Sequence, residues 1–257
     1  MLAAGLTLVK FRYHVTFVNV AFGALIFAER LDRDLAWRLV ALYVSFNVLL
    51  YSGLYTINDL ADRESDAKHP LKRRRPIPSG RVSARMAKGW AAAFLLSGMA
   101  SGAVVFGTSI VSCYLAVVAI NLTYSLGGRN IVYLDVLLNA LPHVVRFLMG
   151  ALLVARRPPA THLVAFLLVA IALSCLRRLI ERDVPGWEAR QSLNAWSTTS
   201  LTRVLTGSLA GLCALAVWRA AAAPGVYAAL VGTSLVLVVG AHRSVFIRRR
   251  LRWVWTH

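Results

Sequence analysis

Gly89-WAAAFLLSGMASGAVVFGTSIVSCYLAVVAINLTYSLG-Gly128 contains no Asp, Glu, Lys or Arg. A membrane-spanning helix needs roughly 20 mainly apolar residues. This stretch therefore holds two spans back to back, with the turn at Gly107-Thr108-Ser109. Leu39 to Asn58, Pro158 to Leu176 and Ala220 to His242 are likewise uncharged. Of the 257 residues, 58% are hydrophobic and only 16% charged, whereas a soluble chain is nearer a quarter charged. The reading is an all-α polytopic membrane bundle, a single domain over 1–257. Spans are expected at roughly 13–31, 37–58, 88–107, 109–127, 133–154, 161–180, 201–219 and 224–242, with a ninth if the tail dips in.

The net charge of +18 would suggest nucleic acid in a soluble chain; here it bears on topology. Lys10, Arg12, the cluster from Arg63 to Lys88, Arg129, the group Arg177, Arg178, Arg182, Arg190 and Arg203, and the tail from Arg243 to Arg252 fall on one face. The opposite face has only Arg30, Arg33, Arg38, Arg156, Arg157 and Arg219, and Arg146 lies within a span. The positive-inside rule makes the richer face cytoplasmic, which suits a bacterial inner-membrane protein with both termini inside. The tail, with Trp253 and Trp255, is expected on the membrane surface, attracted by anionic lipid. Cys113, Cys175 and Cys213 have no metal-ligand spacing and read as buried packing residues. The first apolar run carries no cleavage pattern and is expected to be retained. There is no P-loop, dinucleotide fingerprint, HExxH or CxxC pair.

Function begins with the acids. Four of the eleven fall within eight positions, in Asn58-Asp59-x-x-Asp62-x-Glu64-x-Asp66. If the second span's helix continues past the membrane surface, Asp59, Asp62 and Asp66 share one face. Three such carboxylates repel unless a cation neutralises them, and Mg²⁺ is usually held by one or two carboxylates plus substrate phosphates. A solvated helix end balanced by neighbouring bases is the plainer alternative. The next residues, His69-Pro70-x-Lys72-Arg73-Arg74-Arg75-Pro76-x-Pro78-x-Gly80, weigh against it. They form a cationic loop shaped by Pro and Gly, and metal plus Lys/Arg is the usual arrangement for a diphosphate leaving group.

Asn58-Asp59-x-x-Asp62-x-x-x-Asp66 with Arg75-Pro76-x-x-x-Gly80 resembles the first aspartate-rich motif of the UbiA superfamily of intramembrane prenyltransferases. His69-Pro70-x-Lys72-Arg73-x-Arg75-Pro76 is more similar to one branch, the decaprenyl-phosphate phosphoribosyltransferases. Tyr124-Ser125, Asp135, Arg146 and Gly150 resemble that branch through the fifth span, with Arg129 where Lys is usual and His143 where an aromatic is usual. Arg177-Arg178-x-x-Glu181, Arg190, Leu193 and Trp196 resemble its third segment, with Arg177 for Lys and Leu176 for Gly. The resemblance covers residues 10–200 and leaves the chain one span short of the family's nine.

It implies a Mg²⁺-dependent transferase, with Mn²⁺ as a substitute, and active-site segments at about 58–86, 124–135 and 177–200. Asn58, Asp59, Asp62 and Asp66 would hold metal and diphosphate. Lys72, Arg73, Arg75 and Arg129 would clamp phosphates, and Arg146, Arg177 and Arg178 would receive the lipid or ribose phosphate. Tyr124 and Glu181 complete the expected substrate contacts. The preferred reaction moves 5-phosphoribose from phosphoribosyl diphosphate to a polyprenyl phosphate. A prenyl diphosphate donor with an aromatic or other acceptor is the alternative, and a transporter or lipid-binding protein is the non-enzymatic one. Membrane lipids are expected partners and nucleic acid is not; the oligomeric state, a homo-oligomer included, stays open.

Overall fold

Hydrocarbon offers no hydrogen-bond partners, so an apolar run must satisfy its backbone within itself, as a helix. The computed structural model describes residues 11–68, 72–182, 196–219, 221 and 223–256, and among the described residues every regular element is helical. A 3₁₀ segment (Phe11–Phe17) leads into α1 (Val18–Phe27). Next, α2 (Arg33–Leu42), a π-helical segment (Tyr43–Leu50) and α3 (Tyr51–Ala61) form one span, followed by the short α4 (Arg63–Lys68). The remainder is α5 (Ala84–Phe106), α6 (Thr108–Ser125), α7 (Leu134–Leu153), α8 (Ala160–Glu181), α9 (Thr198–Arg219), α10 (Pro224–Arg243) and α11 (Val245–Thr256).

Local chemistry sets the ends. The Asp32 carboxylate accepts from the Leu35 N–H at 2.9 Å and caps α2, and Ser83 caps α5 by accepting from Met86; both fill orphan donors. Gly107, at φ 74°, stops α5, and Pro224 opens α10. Among the described residues, seven helices are long and apolar enough to cross a membrane. They match seven of the expected spans to within a few residues. The eighth, expected at 13–31, is an apolar helix of His14–Phe27 only, because Ala28 turns to an extended conformation after α1. The tail continues as the helix α11 (Val245–Thr256); the side chains of Arg12, Arg252, Trp253 and Trp255 lie outside the described residues, as do Lys10 and the segments 69–71 and 183–195.

The chain divides into two compact units: residues 1–121 with 149–156, and residues 122–148 with 157–257. In the first, α5 packs on α3 and on the π-helical segment. Gly98 permits this, since a Cβ there would stand 2.7 Å from the Leu50 nitrogen and 2.9 Å from the Ser45 carbonyl oxygen. Small residues let membrane helices approach backbone to backbone. Ser45 Oγ and Tyr114 OH share a buried hydrogen bond of 2.6 Å, and His14 Nδ1 bonds the Tyr43 hydroxyl at 2.7 Å. Arg156 pairs with Glu29.

In the second unit α8 is the hub, with α9, α10 and α11 packed on it. Leu176 and Cys175 are buried there with Ile180, Trp196, Leu201 and Leu205. Cys113 is buried as expected, but Cys213 is exposed. An exposed surface on a membrane helix is no barrier to a small apolar thiol, so burial was not required of it.

Candidate active site

In the first unit the aspartate motif is not one continuous helix. α3 ends at Ala61, and Asp62 caps it at φ −90°, ψ 2° before α4 begins. The single face expected for Asp59, Asp62 and Asp66 assumed an unbroken helix, and the break at Asp62 changes the register. Its consequence is local. Asp59 and Asp66, 4% and 2% exposed, converge on one guanidinium, with Arg75 Nη1 lying 3.4 Å from Asp59 Oδ1 and 2.9 Å from Asp66 Oδ2. Lys72 Nζ lies 3.3 Å from Asp66 Oδ1. Asp62 stands at the junction between the two helices, its carbonyl accepting from the Asp66 N–H and the Ser65 hydroxyl. Asn58 lies on the last turn of α3, and its carbonyl accepts from the Asp62 N–H. Arg73 is exposed on the 3₁₀ turn Lys72–Arg74. His69 and Pro70 lie outside the described residues.

The loop that carries Arg75 is pinned from below. Ile77 and Val82 are buried with Ala87 against Leu60, Met86 and Trp90. The Val82 N–H bonds the Pro76 carbonyl and the Ser79 N–H that of Arg75, while Arg81 donates to the Arg74 carbonyl and Ser79 hydroxyl. Gly80, at φ 76°, supplies the one left-handed residue the turn requires. Apolar anchors at positions 77 and 82 thus set where Arg75 stands. Sequence reasoning passed over them, although Ile77 between two prolines was a signal.

Among the described residues no three His, Cys, Asp or Glu side chains are gathered as a metal-ligand set. The two buried carboxylates nonetheless fit a hard divalent cation. Their oxygens flank a position now filled by a cationic nitrogen, and Mg²⁺ typically takes one or two carboxylates and completes its shell with water and substrate phosphate.

In the second unit the charged residues form a tighter arrangement. Arg178 grips Asp135 bidentately, Nε to Oδ2 and Nη2 to Oδ1, both at 2.6 Å, and Nη1 donates to the Ser174 carbonyl at 2.9 Å. Both side chains are almost fully buried. Arg177 Nε bonds Glu181 Oε1 at 2.8 Å, an i,i+4 pair on the last turns of α8. Arg146 is 3% exposed on α7, so it does turn inward as an intramembrane arginine should. Asp135, the acid of α7, is gripped by Arg178. Arg129 sits half-buried on the 3₁₀ turn Gly128–Asn130 after α6, and Tyr124 half-buried on the last turn of α6. Trp196 is buried edge-on to Tyr133, and its carbonyl accepts from Arg182. Trp187, Arg190 and Leu193 lie outside the described residues.

The profile of the UbiA prenyltransferase family matches residues 17–255. The decaprenyl-phosphate phosphoribosyltransferase of Corynebacterium glutamicum is 26% identical over 172 residues, 65% of this chain and 52% of that protein. The protein of the same description from Mycolicibacterium smegmatis is 29% identical over 67% of this chain and 55% of its own length. The nodulation protein NoeC of Azorhizobium caulinodans is 29% identical over 51% and 42%. The chain spans about half the length of the curated relatives it matches. Among solved structures, a UbiA homologue from Archaeoglobus fulgidus bound to DMAPP and Mg²⁺ superposes with a TM-score of 0.79 at 17% identity, over 97% of this chain and 94% of that one. The same homologue bound to GPP and Mg²⁺ gives 0.73 at 18% identity, over 98% and 95%.

Proposed function

The chain belongs to the UbiA prenyltransferase family, and from that premise we propose that it is a Mg²⁺-dependent membrane transferase moving 5-phosphoribose from phosphoribosyl diphosphate to a polyprenyl phosphate. The observation that carries the reading is the Asp59–Arg75–Asp66 cluster with Lys72 beside it. It offers two buried hard-oxygen ligands and, on the same loop, the cations that a diphosphate needs. Mg²⁺ bound between the carboxylates, with Mn²⁺ as a substitute, would draw charge from the departing diphosphate.

Every other part falls to the chain's own groups. Asp59 and Asp66, with Asn58 and Asp62 at the same junction, would hold the Mg²⁺ that meets the donor's anionic diphosphate. Lys72, Arg73 and Arg75 donate charge-assisted hydrogen bonds to its phosphate oxygens. As the C1–diphosphate oxygen bond breaks, an oxygen of the lipid phosphate forms the new bond to C1. Arg129, Arg146 and Arg177 are assigned to the ribose 5-phosphate and the lipid phosphate, with Tyr124 and Glu181 as neighbours that orient them. Arg178 holds Asp135 and serves by fixing α7 against α8. In this reading the charged segments face the cytoplasm.

Two relatives described as decaprenyl-phosphate phosphoribosyltransferases support the donor. The second reading, a prenyl diphosphate donor, is favoured by the neighbours solved with GPP and DMAPP. The deciding experiment incubates purified protein with polyprenyl phosphate and either phosphoribosyl or geranyl diphosphate, then weighs the lipid by mass spectrometry. A lipid gaining the mass of a phosphoribosyl group supports the first reading. Consumption of geranyl diphosphate alone overturns it.

A further inference from the structure

At the end of the second unit remote from Asp135 and Arg178, three helix termini bring polar groups together. Thr161 and His162 open α8, Arg219 closes α9, and Tyr227 lies on the first turn of α10. These helices pack on one another. The His162 and Tyr227 rings lie 5.3 Å apart between centroids, and the Arg219 guanidinium is close enough to act electrostatically on His162.

What marks the place is the state of its polar atoms. Tyr227 is 1% exposed, yet its hydroxyl has no hydrogen-bond partner among the described residues; nor have Thr161 Oγ1 and Arg219 Nε. Leaving a buried donor unmade costs about 1–3 kcal/mol, so three orphans at one spot are not expected of a finished core. Two of these groups, a guanidinium N–H and a phenol O–H, are strong donors. The described carboxylates of this unit, Asp135 and Glu181, stand at the other end of α8. From His162 to Arg178 the helix rises roughly 24 Å at 1.5 Å per residue, too far for those acids to serve. The N-terminus of α8, 22 residues long, adds a positive dipole end at the same place. Donors and positive charge without an acceptor call for an anion.

The location indicates which anion. The cluster lies at the ends of membrane-spanning helices, where lipid phosphates lie, and Trp218 beside Arg219 is 71% exposed with the guanidinium 5.6 Å from its ring centroid. An exposed indole is characteristic of the headgroup level. We propose that Thr161, His162, Arg219 and Tyr227 form a phosphate-binding site for a lipid headgroup, separate from the residues assigned to catalysis.

The test is native mass spectrometry of the full chain released from detergent with phosphatidic acid, with diacylglycerol of the same acyl chains, or with inorganic phosphate. The basic residues of α11 will also retain phosphatidic acid, so the readout is the number of lipids held. Wild type is expected to retain one phosphatidic acid more than Arg219→Gln or Tyr227→Phe, with affinity for that last lipid lowered about tenfold or more. Diacylglycerol should not distinguish the three proteins. Tyr227→Phe keeps the ring against His162, so it reports on the hydroxyl even if Arg219→Gln folds poorly. Equal retention of phosphatidic acid by wild type and Tyr227→Phe overturns the site. Inorganic phosphate bound by wild type alone, with phosphatidic acid no better than diacylglycerol, overturns the lipid as its source.

Discussion

Arg178 and Asp135 make the strongest stability prediction. Their carboxylate–guanidinium pair has two bonds of 2.6 Å with side chains only 4% and 1% exposed. Replacing Asp135 by Leu leaves a buried guanidinium with only backbone carbonyls as acceptors, that of Ser174 at 2.9 Å and that of residue 135 at 3.4 Å. Two charge-assisted bonds at about 1.5–3 kcal/mol each and the usual cost of breaking a buried pair, about 3–5 kcal/mol, agree on the magnitude. Asp135→Leu and Arg178→Met should therefore each destabilise by about 3–5 kcal/mol. The double variant leaves no uncompensated charge, and apolar replacement of a whole buried pair is often neutral; it should lose much less than either single. The assay is SDS-driven unfolding in mixed micelles, followed by fluorescence of the seven tryptophans. Singles within about 1 kcal/mol of wild type, or a double equal to the sum of the singles, would refute a closed structural pair. A folded double variant without transferase activity would return Arg178 to the substrate site.

Asp66→Asn should lower turnover by orders of magnitude while the melting temperature stays near wild type, and excess chelator should abolish turnover; full activity in chelator sinks the metal assignment. Gly98→Leu should destabilise by about 1–3 kcal/mol or more, as overpacking does, because its side chain must displace the backbone at Leu50; unchanged SDS unfolding would mean the helices separate easily. The Asp32 carboxyl is held below its ordinary value chiefly by the Leu35 N–H, with Arg30 helping. Since a depressed carboxyl stabilises above its unfolded value, the lead of wild type over Asp32→Ala in melting temperature should shrink as pH falls through the acid range. Single cysteines at Ser79 and Pro158 should react with impermeant reagent from opposite sides of the membrane; labelling from one side ends the proposed topology.

How far the sequence could be read followed from which forces act locally. The seven long spans were legible because an uncharged run of about 20 residues has one favourable fate in a bilayer. For the first apolar run the end was not legible: residues 13–31 are mostly apolar, but the helix stops at Phe27. The aspartates were found by clustering, and Asp59 and Asp66 do meet. Their meeting runs through Arg75, and a helical wheel could not foresee it because α3 breaks at Asp62. In the second unit, Arg146, Arg177 and Arg178 all had the chemistry to take Asp135. Spacing along the chain does not choose among them; the approach of α7 to α8 does.

The two clusters also differ in how firmly their acids are held. Asp59 and Asp66 are 5% and 3% exposed by side chain, but their cationic partners Arg75 and Lys72 are 28% and 40% exposed. Those partners sit on a loop and can withdraw into water at small cost, since a partly solvated ion pair contributes little. Asp135 and Arg178 have no such exit. An acid whose partner can leave can exchange it for a metal and a phosphate; an acid whose partner is sealed in cannot. By that criterion the 59–75 segment suits the proposed metal and diphosphate, whereas the Asp135–Arg178 pair ties α7 to α8.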